Sequence, residues 1–424
     1  MHREPTCASM IPPMQVRRST LRPTSLPNEP TVSAERGGAG RVLYVQYCNP
    51  AAYPPIEHSA VLLADAGFDV TLLGTDVPGE TMQLRPHPRI QVRIMPAKGA
   101  GLRQKLLYAR YMMWALILGV RFRPAWIYAS DPLSCPVALL LHTILGTQTI
   151  YHEHDAPEPE ARANLSLAMR AALWARRRLA QTATLCVVPN VQRAELVRQS
   201  TGRQDVLSVW NCPMRAEAAD AVEAHANGQL KIVYHGSIVP ARIPRTVIHA
   251  LSRLPKEITL TVSGFETLGQ FGYSRELAAE AERLGVGHRV KFVEPIPTRS
   301  ALLEQCGRFD IGLALFSQQQ PEINQQTMAG ASNKPFDYMA RGLALLVTDL
   351  PDWRAMYVDE GFGLCCQPDS VESIVEALKW FWENRAERQA MALRGRQRIL
   401  EAWNYEQQFH SVLTAVRDAS PREM

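Results

Sequence analysis

Short apolar segments alternate with amphipathic helical segments along most of the chain, and this alternation constrains the fold more than any other feature of the sequence. A repeated strand–helix–strand order predicts an α/β fold with parallel sheets covered by helices on both faces. The first series of predicted strands is Arg41–Tyr47, Phe68–Leu73, Trp126–Ala129, Thr149–His152, Leu185–Val188 and Leu207–Val209. The second is Lys231–His235, Ile258–Ser263, Arg289–Val293, Ile311–Phe316, Leu343–Thr348 and Gly363–Cys365.

Helical patterns fill the intervals between these strands. In the first series they lie at residues 56–66, 102–120, 133–145, 161–181 and 190–200. In the second they lie at residues 243–254, 273–284, 298–306, 333–341, 351–358 and 370–383. The chain is therefore predicted to form two doubly wound α/β units in tandem. Ligands of such units bind beyond the carboxyl ends of the strands, and a cleft between the units is the expected site.

Composition suggests where each unit begins and ends. Residues 1–40 are rich in Pro, Ser, Thr and Arg and lack an apolar export segment, so a disordered tail is predicted. Residues 41–213 are predicted to be the first domain. Residues 214–228 are rich in Ala and Glu with little periodic apolar content, which is typical of a linker. Residues 229–402 are predicted to be the second domain.

Length and composition exclude several classes of protein. The 424 residues suffice for about two domains, and a content of 46% apolar and 21% charged residues is typical of globular proteins. The longest uncharged apolar run, Tyr111–Val120, is half as long as the roughly 20 residues that a membrane-spanning helix needs. The eight Cys show no C-x-x-C spacing, which favours a reducing compartment without a disulfide framework. A cytoplasmic location is the resulting expectation.

Basic residues are concentrated in the first unit. Residues 41–213 carry 18 Lys and Arg against 12 Asp and Glu, whereas residues 214–424 carry 23 against 26. No acidic residue lies between Glu80 and Asp131, a stretch that contains nine Lys and Arg. One face of the first unit is therefore expected to be positive and to attract anionic partners.

The predicted helix 102–120 has two expected uses. Packing of its Leu, Tyr and Trp side chains against the sheet is the first. A basic amphipathic helix with aromatic residues is also typical of proteins that lie on an anionic membrane surface. The segment Ala168–Arg178, with four Arg, extends the basic face. Peripheral contact with the cytoplasmic face of a membrane is therefore a second expectation.

The segment after strand Lys231–His235 has the composition of an anion site. Gly236 and Ser237 follow the strand, and Arg242 and Arg245 precede the next helix. Glycine lets backbone N–H groups approach an anion, the helix N-terminus adds positive potential, and Arg supplies forked donors. The segment predicts a diphosphate site, with a turn glycine beside two solvated arginines as the alternative.

A second polar segment, Ser332–Gly342, precedes the strand Leu343–Thr348. Its first two residues can cap a helix and Gly342 can end it. Lys334 and Asp337 are three residues apart and share one helix face, where a cation for phosphate would lie beside a carboxylate for ribose hydroxyls. The alternative is an exposed intrahelical ion pair.

In the first unit, strand Thr149–Tyr151 ends in His152, Glu153, His154 and Asp155. These side chains suit metal ligands, a general base or acceptors for substrate hydroxyls. On an extended backbone the two His share one side and the two carboxylates the other. A zinc site needs a third ligand that the sequence does not identify, so no metal is predicted. Histidines that only cap the strand end are the structural alternative.

Several motifs in this order resemble the family 4 glycosyltransferases of the GT-B fold, over about residues 41–415. The resemblance implies two Rossmann-like domains that face each other across an active-site cleft, with residues 403–424 crossing back as a helix onto the first domain. The motifs that carry it are Asn49–Pro55, Tyr151–Asp155, Val188–Asn190, Val209–Pro213, Tyr234–Ser237 and Asn333–Gly342.

The resemblance also implies roles in donor binding. Arg242 and Lys334 would neutralise the donor diphosphate and act in catalysis, and Gly236 and Ser237 would approach it through the backbone. Asp337 falls where the family's second carboxylate holds the nucleotide ribose. Such enzymes retain the anomeric configuration and need no metal, because cations and a helix N-terminus stabilise the leaving diphosphate. No cofactor is expected.

Further residues are implied at the ends of this site. Asn333 is expected to contribute to donor binding. His154 falls on the family's first-domain histidine, beside the acceptor and the transferred sugar, and is the third catalytic candidate. The expected acceptor contacts are Glu57, His58, His152 and Asp155.

One departure from the family pattern concerns the transferred sugar. The family's usual motif has two Glu separated by seven residues, but the first position is Ala329 here and the second is Asp337. The loop Gln318–Met328, with Glu322, Asn324, Gln325 and Gln326, is a candidate source of substitute contacts and of a lid.

The expected function is transfer of a sugar from a nucleotide diphosphate sugar to a hydroxyl of a glycan or lipid-linked acceptor. The expected partners are the nucleotide sugar, this acceptor and an anionic membrane surface, and no nucleic acid. Two alternatives remain: a sugar-nucleotide epimerase, and a silent nucleotide-binding scaffold favoured by Ala329. A dehydrogenase is disfavoured because neither unit has G-x-G-x-x-G after its first strand.

Overall fold

The computed structural model describes residues 39–76, 82–96, 101–155, 165–218, 228–267, 270–318 and 323–419. These residues contain two parallel sheets. The first has seven strands: β1 Arg41–Val45, β2 Asp69–Asp76, β3 Ile90–Pro96, β4 Trp126–Ala129, β5 Gln148–His152, β6 Leu185–Val188 and β7 Val206–Ser208. The second has six: β8 Leu230–Ser237, β9 Ile258–Phe265, β10 Val290–Val293, β11 Ile311–Ala314, β12 Ala344–Thr348 and β13 Gly363–Cys366.

Helices connect the strands of both sheets. Those associated with the first sheet are α1 Pro54–Asp65, α2 Gly101–Phe122, α3 Cys135–Leu145, α4 Leu167–Thr182 and α5 Val191–Thr201. Those that follow are α6 Thr246–Ser252, α7 Tyr273–Arg283, α8 Arg299–Cys306, α9 Ile323–Gln326, α10 Asn333–Ala340, α11 Pro351–Trp353, α12 Val371–Glu383, α13 Arg385–Glu401, α14 Tyr405–Gln408 and α15 His410–Asp418. None of the helices in the described ranges is long and apolar enough to cross a membrane.

Both sheets reverse their strand order near the middle. The first runs β3-β2-β1-β4-β5-β6-β7 and the second β10-β9-β8-β11-β12-β13. In the first, Val42 pairs with Trp126 across the reversal, and in the second, Ile232 pairs with Ile311. The strand order reverses between β1 and β4 in the first sheet and between β8 and β11 in the second. Ligands of α/β sheets bind at such a reversal, in the crevice beyond the carboxyl ends of the strands.

The core of each sheet lies on both of its faces. On one face of the first sheet, α2, α3 and α4 cover Leu43, Val45 and Ile127. On the other face, Val42 and Tyr44 pack with α1. Alternating residues of one strand therefore point into two different cores, which is why β1 reads as an uninterrupted apolar run.

The last two helices of the described chain belong to the first core. Tyr405, Phe409 and Val412 are buried among Val42 and other residues of the first sheet. The Tyr405 hydroxyl donates to the Pro55 carbonyl at 3.2 Å. The C-terminal segment thus crosses from the second sheet back to the first, as the resemblance implied.

Every predicted strand is present, but one strand, β3, and two helices, α9 and α13, were not predicted. The short helix α9 lies in the segment that was predicted to be a loop. The edge strand β3 has mostly exposed residues and contains Arg93 in mid-strand, so it lacks the apolar run that marks the buried strands. Helix α13 has few apolar residues, which obscures its period. The predicted helix at 351–358 is instead α11 followed by a π-helical turn, Arg354–Val358. The predicted tail and linker lie mostly outside the described residues, so the disorder of the tail and the role of residues 214–228 as a linker stay predictions.

We expect Phe409→Ala to lower the free energy of unfolding by about 3–5 kcal/mol, because it leaves a cavity in a fully buried aromatic site. Urea denaturation followed by circular dichroism measures the change. Leu393→Ala is the matched control, since Leu393 is 65% exposed and its loss should cost less than about 0.5 kcal/mol. Equal midpoints for the two variants would show that the C-terminal segment does not stabilise the first core.

Candidate active site

A cavity of about 280 Å³ lies between the two sheets, beyond the carboxyl ends of their central strands. The loop after β1, with Ala52 and Tyr53, and the end of β5, with His154 and Asp155, form its first-domain wall. The second-domain wall is formed by the ends of β8 and β9, the segment before α8 and the start of α10. Its residues include His235, Gly236, Ser237, Arg242, Ser263, Gly264, Phe265, Pro295, Ile296, Arg299, Ser332, Asn333, Lys334 and Asp337.

Two cationic side chains lie at the end of β8. Gly236 has a φ of +117°, and a Cβ there would come within 2.9 Å of Lys334 Cε, so the close approach of Lys334 requires glycine. Lys334 Nζ lies 5.7 Å from the centre of the Tyr234 ring. Arg242 Cζ lies 4.2 Å above the centre of the Phe316 ring. The aromatic faces thus position both cations at the same wall of the cavity.

The N-terminus of α10 opens into this wall. Ser332 occupies the N-cap position, but its side chain makes no capping hydrogen bond. Asn333 Oδ1 is buried and has no hydrogen-bond partner among the described residues. An uncapped first turn leaves backbone N–H groups and the positive end of the helix dipole available to an anion. The helix therefore adds positive potential beside Lys334.

The ammonium of Lys334 is held near its point of titration. Burial, followed by the repulsion of Arg242, lowers the pKa of Lys334 to about 7, and Asp337 only partly offsets these effects. Burial also lowers the pKa of His235 well below its usual value, with Lys334 and Arg299 adding to the effect. An incoming anion would favour protonation of Lys334, so the wall can match its charge to a diphosphate.

A buried ionic cluster begins at the cavity wall with Arg299 and Asp337 and joins both domains. Arg299 donates to both oxygens of Asp337, at 2.6 and 3.3 Å, and to both oxygens of Glu217, at 2.7 and 3.1 Å. His58 Nε2, on α1 of the first domain, lies 3.2 Å from the Glu217 carboxylate. The Asp337 side chain is only 1% exposed. One guanidinium therefore compensates two buried carboxylates.

The two carboxylates respond differently to this pairing. Burial raises the pKa of Asp337 above its usual value, and Arg299 opposes the rise. Burial acts in the same sense on Glu217, but Arg299 and His58 together outweigh it and hold the pKa of this carboxyl below its usual range.

His154 occupies the first-domain wall as a neutral imidazole. Neither ring nitrogen has a hydrogen-bond partner in the described chain. Burial is the main reason that the pKa of His154 falls to about 4, with Arg193 adding to it and Asp155 opposing it. The ring stacks with Tyr53 at 6.0 Å between centroids. Behind it, Glu153 accepts hydrogen bonds from Tyr151 at 2.5 Å and from Arg176 at 2.7 Å, which fixes the end of β5.

First-domain side chains also hold the loop that precedes α10. Asn190 Nδ2 donates to the carbonyls of Thr327 and Ala329, at 2.8 and 2.7 Å. Arg193 donates to the His154 carbonyl and to the carbonyl of Asn324, the latter at 3.2 Å. These bonds tie the second-domain loop to the first-domain wall and so fix the direction in which α10 points.

Comparisons with known proteins agree with this arrangement. The model of a glycosyl transferase 4-like domain matches residues 56–212, and the model of a glycosyl transferase-like domain matches residues 242–414. The chain belongs to the family 4-like glycosyltransferases. A search of the curated proteins finds no match to the sequence.

Solved structures of glycosyltransferases share the fold over most of this glycosyltransferase. Sucrose-phosphate synthase from Thermosynechococcus elongatus has a TM-score of 0.67 and 15% identity, covering 89% of this chain and 98% of its own. HepE from Anabaena in complex with UDP-glucose has a TM-score of 0.64 and 14% identity, and the match covers 89% of this chain and 100% of HepE. WaaG, a glycosyltransferase involved in lipopolysaccharide biosynthesis, has a TM-score of 0.63 and 16% identity, and the match covers 89% of this chain and 99% of WaaG. The predicted α/β fold of the GT-B type is confirmed.

The cavity of this glycosyltransferase gathers most of the residues predicted for its site. The six donor candidates all line it, and so do two from the first domain, His154 and Asp155. The donor candidates are Gly236, Ser237, Arg242, Asn333, Lys334 and Asp337. The alternative of an exposed ion pair between Lys334 and Asp337 is wrong, because Asp337 is buried and pairs with Arg299. The catalytic and binding roles stay predictions.

Three residues predicted to contact the acceptor lie away from the cavity. Glu57 is buried and accepts a hydrogen bond from the Arg85 backbone at 3.3 Å. His58 belongs to the ionic cluster. His152 lies behind His154, where its Nδ1 is 2.5 Å from the Tyr128 hydroxyl. In each case a partner from a distant segment of the chain binds the side chain outside the cavity, and a single sequence does not reveal such partners.

In the described part of the loop before α10, the polar residues expected to contact the sugar do not line the cavity. Residues 319–322, with Glu322, lie outside the described ranges. Of residues 323–328, Met328 lines the cavity, whereas Asn324, Gln325 and Gln326 do not. Ala329 does not line it, and its carbonyl is engaged by Asn190.

Five polar residues that line the cavity were not predicted as site residues: Asn211, His235, Ser263, Arg299 and Ser332. Arg299 follows Thr298, which caps α8, and looks like a solvated arginine in the sequence. Asn211 lies in one of the family-like motifs, and its Nδ2 donates to the Ala331 carbonyl at 2.6 Å. Within the described residues, no group of three or more His, Cys, Asp or Glu is placed to hold a metal ion.

We expect Arg299→Met to lower the free energy of unfolding by about 3–5 kcal/mol, because it removes the charge but keeps the bulk beside two buried carboxylates. Urea denaturation measures the loss. Arg308→Met is the matched control, since Arg308 forms an exposed pair with Glu304 that contributes about 0–1 kcal/mol. A loss no larger than the control's would mean that the cluster does not stabilise the fold.

Proposed function

We propose that this glycosyltransferase is a retaining enzyme that transfers a sugar from a nucleotide diphosphate sugar to a hydroxyl of a glycan or lipid-linked acceptor. It acts without a metal, in polysaccharide or glycoconjugate biosynthesis, and at the cytoplasmic face of a membrane. The observation that carries the proposal is the cationic wall formed by Arg242, Lys334, Gly236 and the N-terminus of α10, opposite the neutral His154.

This wall suits a diphosphate as leaving group. Negative charge grows on the diphosphate as the bond to the sugar breaks, and Arg242, Lys334 and the first turn of α10 are positioned to stabilise it. These groups supply the positive charge that a metal would otherwise bring. The HepE structures with UDP and with UDP-glucose are supporting evidence for a nucleotide sugar as donor.

The opposite wall suits an acceptor hydroxyl and the transferred sugar. His154 is neutral at physiological pH because its pKa is about 4, so it can bond to hydroxyls without adding charge beside the departing diphosphate. Asp155 lies at the same wall with an exposed carboxylate that can accept hydroxyl hydrogens. Retention follows from the family resemblance, and nuclear magnetic resonance of the first-formed product tests it directly.

We expect Arg242→Ala to weaken binding of a nucleoside diphosphate by about 10- to 100-fold, because a charge-assisted hydrogen bond contributes about 1.5–3 kcal/mol. Thermal shifts with UDP, GDP, ADP and CMP, without metal and with NAD as control, identify the base. A ligand at 100 times its dissociation constant stabilises by about 2.7 kcal/mol.

Arg245→Ala is the matched control for this experiment. Arg245 is three residues away, but it is half-exposed and pairs with Glu276 at 2.5 Å, outside the cavity. Its variant should bind as the wild type does. No shift with any diphosphate would refute the proposal, whereas binding without hydrolysis or transfer to any acceptor would favour a silent scaffold. Conversion of the free nucleotide sugar without acceptor would indicate an epimerase.

We expect affinity for the nucleotide sugar to fall as pH rises above about 7. In the ligand-free enzyme, Lys334 loses its proton near that pH. A bound diphosphate favours the protonated form, so the enzyme takes up a proton when the nucleotide sugar binds. The diphosphate of a nucleotide sugar does not titrate in this range, so calorimetry between pH 6 and 9 isolates the lysine. The dissociation constant should rise up to about tenfold per pH unit, and Lys334→Met should remove this dependence. An unchanged pH profile in Lys334→Met would assign the titration to another group.

A further inference from the structure

Helix α2 carries an apolar stripe on its outer side. Leu102, Leu106, Met113, Ile117 and Val120 are all exposed, and Leu106 is 64% exposed. At about 100° per residue, these five positions fall within about 60° of one another around the helix. A continuous apolar stripe on the surface of a protein marks an interaction site.

The opposite side of α2 is the one that packs on the protein. Tyr111, Ala115 and Gly119 are buried there. A Cβ at Gly119 would come within 2.6 Å of Leu141 on α3, so the two helices are in close contact. The core of the first domain is therefore already covered, and the exposed stripe is additional apolar surface.

Basic side chains flank the stripe on both sides. Arg103, Arg110 and Arg121 lie along one side and Lys105 along the other, and all four are exposed. No acidic residue occurs in α2, α3 or α4. The surface formed by these three helices combines apolar and positively charged side chains without a negative one.

Helices α3 and α4 extend this surface. Both cover the same face of the first sheet as α2. Leu140 and Ile144 on α3 are exposed, as are Leu167 and Trp174 on α4, with Trp174 62% exposed. Arg170, Arg177 and Arg178 are exposed on α4. An exposed Trp among Leu and Arg is typical of segments that lie at the boundary of lipid headgroups and acyl chains.

The surface lies next to the acceptor side of the cavity. The Tyr111 hydroxyl donates to the Gln46 carbonyl at 2.8 Å, and Tyr108 packs edge-on against Tyr47 at 5.0 Å. Gln46 and Tyr47 directly follow β1, and the same loop continues to Tyr53 at the cavity wall. The N-terminal half of α2 is thus attached to the loop that lines the acceptor side.

We propose that the outer face of α2, α3 and α4 binds an anionic lipid bilayer, with the apolar stripe in the acyl boundary and the flanking Arg and Lys on the headgroups. A second copy of the chain is a poorer occupant, because two such faces would bring like charges together. A second part of the inference rests on the proposed function. A bilayer on this face would lie beside the acceptor wall, so of the two proposed acceptors the lipid-linked one is favoured over a free glycan.

Vesicle flotation of the full chain tests the proposal. Wild type should float with phosphatidylcholine vesicles that contain about 30–40% phosphatidylglycerol. The floating fraction should be at least about tenfold lower with vesicles of phosphatidylcholine alone. Arg103→Gln/Arg110→Gln/Arg121→Gln should lower partitioning more than about tenfold. Leu106→Gln/Ile117→Gln should lower it by a similar factor, and the loss should persist in high salt because it concerns apolar burial.

Two controls separate docking from other effects. Leu393→Gln changes an equally exposed Leu on α13 and should float as wild type does. Trp174 emission should shift to the blue on vesicles, and Trp174→Phe should remove that shift. Absence of flotation would overturn the proposal, as would stripe variants that float like wild type. A concentration-dependent dimer lost in Leu106→Gln/Ile117→Gln would assign the face to a second copy instead.

The thermal shift with nucleotide keeps this proposal distinct from the proposed function. Both surface variants should bind nucleoside diphosphate as wild type does, because no substituted residue lines the cavity. Flotation without any nucleotide binding would leave the docking surface standing and refute the donor site. Nucleotide binding without flotation would refute the docking surface and leave the donor site standing.

Discussion

The site depends most on the pairing of the Arg299 guanidinium with two buried carboxylates. The guanidinium comes from α8 of the second domain, and its carboxylate partners are Asp337 on α10 and Glu217 in the segment that leaves the first sheet. His58 completes the cluster from α1. Buried charges are tolerated only when they are paired and hydrogen-bonded, so these segments are stable together in one arrangement. Since α10 also carries Lys334, the position of the cationic wall follows from this buried pair.

The cavity is chemically asymmetric, and the asymmetry comes from how its walls are built. The second-domain wall uses cations held against aromatic rings and an uncapped helix, whereas the first-domain wall uses a buried imidazole whose pKa of about 4 keeps it neutral. The bonds from Asn190 to the loop before α10 hold the two walls opposite each other. A diphosphate is thus favoured at the second-domain wall, where the cations lie, rather than at the first-domain wall with its neutral imidazole.

Sequence reasoning succeeded where the signal was local. Apolar runs marked every buried strand, and glycine with Arg after β8 marked the cationic wall, because backbone conformation and helix-end chemistry are properties of a few adjacent residues. It failed where the decisive partner is distant. Arg299 and His58 are 241 positions apart, and His58 lies in the ionic cluster instead of at the cavity because its partners Arg299 and Glu217 come from distant segments. The exposed edge strand β3 was missed because it lacks an apolar run.

In neither domain does the net charge of the sequence match the charge of the cavity wall that the domain forms. The half of the sequence that holds the cationic wall carries more Asp and Glu than Lys and Arg, while the basic half places a neutral imidazole at the cavity and its exposed Arg on α2 and α4. The excess positive charge of the first half therefore cannot be attributed to the donor site. It lies on an outer face beside an apolar stripe, where it contributes to long-range attraction of an anionic surface rather than to chemistry in the cavity.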